Sequence, residues 1–146
     1  MIPCREVAKY LLSLADDDAG DLISNLKLQK LVYYAQGFHL AMYNEPLFPE
    51  DIYAWTHGPV VPELYREYRQ YGPGSIPVPT DLDPAIYDER TGKLLDEVYG
   101  VYGQFSAWKL RSMTHEEPPW QEASHTNGII QHDSMRNYFQ QFIVNQ

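Results

Sequence analysis

Apolar residues along this chain recur mostly at intervals of three and four, the spacing that gathers them on one face of a helix. The spacing predicts a first helix over 3–16, with Pro3 at the first helical position and Cys4, Val7, Tyr10, Leu11 and Leu14 on one face. Asp16, Asp17 and Asp18 put negative charge at its C-terminal end, against the helix dipole, so the helix is expected to stop there, ahead of Gly20. A second helix is predicted over 26–43, behind a Ser24-Asn25 cap. Leu28, Leu31, Val32, Ala35, Phe38, His39 and Met42 form its stripe, and Leu26, Tyr33, Tyr34 and Leu40 add apolar character on other faces. A helix apolar nearly all round belongs at the centre of a fold.

Pro46 and Pro49 bracket an extended Leu47-Phe48, and 52–55 reads as a short β-like run. His57-Gly58-Pro59 is expected to turn into a third helix over about 60–71, with Val61, Leu64, Tyr65 and Tyr68 on one face. Pro62 fits that helix only in its first turn. Residues 72–84, rich in Gly and Pro, are expected to form a mobile loop. Beyond it, Leu95, Val98, Tyr99 and Tyr102 share a face before Gly103, Ser106 caps a helix to about 115, and a short turn follows near 119–124. Asp133 or Ser134 is expected to cap a last helix carrying Met135, Tyr138, Phe139, Phe142 and Ile143 in register. The pattern describes one all-α domain over 1–146, with six or seven helices around a buried central one and a minor extended element near 46–55.

Composition fits that picture. With 44% hydrophobic and 21% charged residues in 146, the chain has enough apolar material for one core, which excludes a wholly disordered protein. No apolar run reaches the length of a membrane helix. The N-terminal apolar stretch is broken by Lys9 and closed by aspartates, unlike a secretory leader. Cys4 is the sole cysteine, so an internal disulfide is excluded, and its place on an apolar stripe makes its thiol inert. A soluble, cytoplasmic protein is expected.

Charge narrows the partners. Eleven Lys+Arg against 20 Asp+Glu give a net −9, and no basic cluster stands out, which argues against nucleic acid. Acidity is usually a solubility feature, and it also suits docking onto a basic protein. Twelve tyrosines add an aromatic supply that fits both a core and a contact surface.

Catalytic signatures are few. His39, His57, His115, His125 and His132 form no pair at metal-ligand spacing, although His115, Glu117 and His125 could converge in space. A metal-dependent hydrolase around His115 and Glu117 is therefore the enzymatic alternative. No GxSxG, GxxxxGK[ST] or GxGxxG is present, and neither a cofactor nor a resident metal is expected. Two segments, 54–65 and 114–120, each join a His, a rigid Pro turn and a Trp or Tyr. In one reading each His fixes its turn on a backbone carbonyl and the Trp plugs the core. In the other the segments build a rigid, aromatic patch for a protein partner, using Trp55, His57, Gly58, Pro59, Glu63, Glu67, His115, Glu117 and Trp120, with Tyr33 and Tyr34.

These segments, with 27–36 and Pro46-Leu47-Phe48, carry a resemblance. The chain resembles the Panacea antitoxin domain family, also described as SocA-like and phage-associated, whose pattern is a KLQKLxYYAQ helix, an AWxxGPVxPxxY turn and a THxExPW segment. The resemblance implies a non-catalytic protein of a bacterial or prophage toxin–antitoxin pair that neutralises a co-encoded toxin by direct binding. A SocA-like branch implies an alternative, an adaptor that delivers its toxin to a Clp-type protease. The chain starts at its first helix and ends with its last, so no additional DNA-binding segment is expected.

Overall fold

The structure, a computed structural model, describes residues 1–15 and 22–143. Helix α1 spans Cys4–Ser13 and buries Cys4, Val7, Ala8, Leu11 and Leu12. Pro3 is its N-cap rather than its first helical residue: the ring fixes φ at a value both positions accept, but ψ of 147° leaves it extended. The expected stop at Asp16–18 and Gly20 lies outside the described residues.

Helix α2, Asn25–Tyr43, is the axis of the fold, with fourteen residues buried. The Ser24 side chain accepts from the Lys27 N–H at its start, and left-handed Asn44 ends it. Its stripe packs as expected except at Met42, which is largely exposed. Burial of the other faces is possible because their polar groups are satisfied. Gln36 donates to Phe48 O (2.9 Å) and accepts from Leu47 N–H (2.7 Å). Gln29 donates to Asn25 Oδ1 and accepts from Val61 N–H, both at 2.9 Å. Two glutamines two turns apart on one face of α2 thus clamp two non-helical segments onto it.

Strand β1 (Tyr53–Trp55) pairs antiparallel with β2 (Gly58–Val60), with Tyr53 opposite Val60 and Trp55 opposite Gly58. The expected turn into a helix at 60 is therefore a hairpin, and α3 begins later, at Pro62–Tyr68, with Pro62 in its first turn. A 3-10 turn over Arg69–Tyr71 follows. Within 72–84, Ile76 is buried and its N–H binds Ile23 O at 2.8 Å.

Helix α4 covers Glu89–Tyr102, α5 Ala107–His115 and α6 Pro118–Ser124. Asp88 and Ser106 cap α4 and α5 through their side chains. Helix α7 runs His132–Gln140 with Gln131 as N-cap. Asp133 and Ser134, expected there, are used elsewhere: Asp133 pairs with Arg136, and Ser134 donates to Glu122. Phe142 and Ile143 lie past the end of α7, and Phe142 is about half exposed. Seven α-helices and one small hairpin make the described chain mainly α. No helix among the described residues is long and apolar enough to cross a membrane.

Candidate functional site

Two buried ionisable groups lie on or against α2: Glu117, from the junction of α5 and α6, and Lys30, on α2 itself. Pro118 favours extended backbone in the residue before it, and Glu117 (φ −96°, ψ 134°) caps α6 in that conformation. Its carboxylate is buried and accepts from Tyr33 Oη (2.9 Å) and Tyr34 Oη (2.7 Å). Burial pushes the Glu117 carboxyl up from 4.5 to about 7, against the opposing pull of the two phenols. Burial and the nearby carboxylate likewise push both phenols upward. Tyr34 also stacks on Tyr102, with centroids 3.9 Å apart.

The second centre is Lys30, which is fully buried behind the hairpin turn. Its Nζ has no hydrogen-bond partner among the described residues. Gly58 makes room for it: φ of +111° favours glycine, and a Cβ there would stand 2.7 Å from Lys30 Cε and 3.0 Å from Thr114 Oγ1. Burial, then the neighbouring Arg111 charge, lowers the Lys30 ammonium from 10.5 to about 7.

The hairpin is stapled to α5 and α6. His115 presents Nδ1 to Arg111 O (2.6 Å) and Nε2 to Thr56 O (2.8 Å), so neither ring nitrogen is open to a metal or a substrate. Trp120 Nε1 donates to Trp55 O (2.9 Å), and its ring packs on His115 with centroids 4.0 Å apart. Arg111 donates from Nε to His57 Nδ1 (3.4 Å) and lies 4.7 Å over the Trp108 ring. Beside the hairpin runs an open groove of about 970 Å³, with Trp55, His57, Tyr65 and Arg69 among its walls. Trp55 and Tyr65 meet there edge to face.

The sequence-predicted residues separate accordingly. Trp55, His57, His115 and Trp120 do come together on one rigid face. Tyr33, Tyr34, Gly58, Pro59 and Glu117 are buried, so as placed they offer a partner no side-chain surface. The Tyr33 and Tyr34 rings belong to the core because Glu117 satisfies their hydroxyls there. Glu63 and Glu67 border a different depression with Cys4 and Arg5, and Glu67 pairs with Arg5 at 3.0 Å. Sequence reading missed Tyr65, Arg69, Trp108 and Arg111 as parts of this face. The available signal was Trp108 and Arg111, one helical turn apart behind the Ser106 cap.

No group of three or more His, Cys, Asp or Glu gathers among the described residues, and His115, Glu117 and His125 do not assemble into one. Burial, followed by nearby Glu50, Glu63 and Glu67, pushes the Cys4 thiol well up, which disfavours its nucleophilic form.

Comparison with known proteins supplies the context. No solved structure matches. Antitoxin SocA of Caulobacter vibrioides (strain NA1000 / CB15N) is 33% identical over 131 residues, covering 82% of this chain and 69% of that protein. Residues 28–121, which run from α2 through the hairpin to Gln121 in α6, match the family described as antitoxin SocA-like, Panacea domain. The matched stretch contains Lys30, Glu117 and the stapled hairpin, and the chain belongs to the SocA-like antitoxin family with a Panacea domain.

Proposed function

We propose that this protein is an antitoxin that neutralises a co-encoded protein toxin by direct binding, without chemistry on a small molecule. The observation that carries the reading is the likeness to antitoxin SocA across most of the chain. The hairpin face supports the location. Trp108 is 65% exposed, Trp55 and Trp120 are half-buried, and hydrogen bonds from α5 and α6 pin the hairpin beneath them. Rigid aromatic anchors lose little entropy on docking and supply much of the energy of protein interfaces. The proposed contact set is Trp55, His57, Tyr65, Trp108 and Trp120.

Coexpression with the neighbouring reading frame tests the proposal. Growth rescue together with co-purification is the expected result, and Trp108→Ala should weaken both without altering the far-ultraviolet spectrum. A neighbour that is harmless when expressed alone would overturn the reading. Rescue that disappears in a host lacking Clp protease would replace sequestration with delivery to that protease.

A further inference from the structure

We propose that the groove beside the hairpin receives an extended acidic segment of the partner, whose carboxylates are held by Arg69, His57 and Arg111. The inference rests on the antitoxin reading for the identity of that partner as the toxin, and it reverses the charge expected from composition. The chain carries 20 acids and 11 Lys+Arg, yet no carboxylate occurs among the described residues that line the groove. Arg69 lines it directly, and Arg111 reaches the rim through His57. Lys30 adds a third cation from behind Gly58.

None of these three cations is committed to an acid. The ion pairs among the described residues use Arg5, Lys9, Arg90 and Arg136 instead. Lys30 is the telling member, because its fully buried amine has no hydrogen-bond partner among the described residues, so whatever charge it carries stands uncompensated there. A carboxylate arriving on the outer side of the turn would complement that charge, and a lysine or arginine would be repelled by it. Arg69 and Arg111 supply planar donor sets suited to carboxylates, and charge-assisted bonds of this kind are the stronger class. The Trp55 and Tyr65 rings give the neighbouring apolar side chains of the segment a wall to pack on. Glu63 and Glu67 stand on the opposite side of α3 from Tyr65 and Arg69, at a depression of their own, and so leave the groove's charge intact.

A random peptide library displayed on phage, panned against the whole protein, provides the test. Enrichment of peptides that place Asp or Glu beside an aromatic or aliphatic residue is expected. For a synthetic copy of an enriched peptide, Arg69→Gln and Arg111→Gln should each weaken binding roughly tenfold, while Glu63→Gln should not. Affinity of the unaltered protein should also fall as salt rises, a reading that needs no variant. No enrichment, enrichment of Lys- or Arg-rich peptides, or acidic peptides indifferent to both arginines would overturn the proposal. The two readings fail separately. Growth rescue without acidic enrichment removes the groove assignment alone, and acidic enrichment beside a harmless neighbouring gene removes the antitoxin role alone.

Discussion

At the scale of single residues, Lys30 and Glu117 impose opposite pH dependences on one core. Glu117 titrates near 7 in the folded protein and 4.5 otherwise, so between those values the folded chain holds a proton the unfolded chain has lost. Its contribution to stability is complete below pH 4.5 and declines as pH rises to about 7. Lys30 titrates near 7 when folded and at 10.5 otherwise, so from 7 upward the unfolded chain holds the extra proton. The burden of its charge is therefore full below about 7 and lifts as pH rises toward 10.5. Together the two groups favour a stability minimum near neutrality. Urea unfolding across this range should show Glu117→Gln flattening the acid-side decline and Lys30→Met flattening the alkaline-side rise. An unchanged slope in either variant would mean that its proton is not the one being linked. Neither residue's role was legible from sequence alone, because both depend on contacts far along the chain. Lys30 lies on α2 behind a turn at Gly58, and Glu117 meets Tyr33 and Tyr34 more than eighty residues away.

Among the elements, α2 dictates the rest, and one glycine sets how closely α7 can approach it. A Cβ on Gly37 would overlap the Phe139 ring, so the absence of a side chain is what seats Phe139 against the helix. Gly37→Ala is expected to lose about 1–3 kcal/mol, since overpacking a dense core outweighs the helix propensity alanine gains. Leu31→Asp, with a charge at a fully buried position, should remove cooperative unfolding altogether. Native melting by either variant would displace α2 from the centre. This helix was readable because its apolar residues exceed one face, and Ser24 and Ser106 were readable as caps because their side chains act locally. The hairpin was readable only in its first strand, which falls within the β-like run at 52–55. Gly58, Pro59 and Val60 read as a turn and helix start, but β2 exists because β1 is available to pair with it and Gln29 accepts the Val61 N–H beyond it. The cap of α7 was misplaced for a similar reason. Asp133 and Ser134 have the right chemistry, and nearby Arg136 and Glu122 engage them instead.

At the scale of the whole molecule, the hairpin is where distant parts of the chain converge. Beyond β2 and the α5–α6 staples, β1 is tied to the approach to α7, with Ala54 N–H on Gly128 O and Ile130 N–H on Ile52 O. The candidate face therefore rests on segments from the middle and the end of the chain, while its groove also touches the start of α2. Helix α7 contributes buried Met135 and Phe139 and closes the aromatic cluster around Tyr33, Tyr34 and Phe38. That arrangement has a consequence during synthesis. A ribosome must deliver Phe139 before the central helix can be covered, so a nascent chain with only residues 1–131 clear of the exit tunnel should stay sensitive to protease, whereas one with residues 1–143 clear of it should become resistant. Equal protection of the two arrested chains would show that closure does not wait for α7. The candidate face, whose first strand is tied to the approach to α7, is expected to be complete only once that helix has docked.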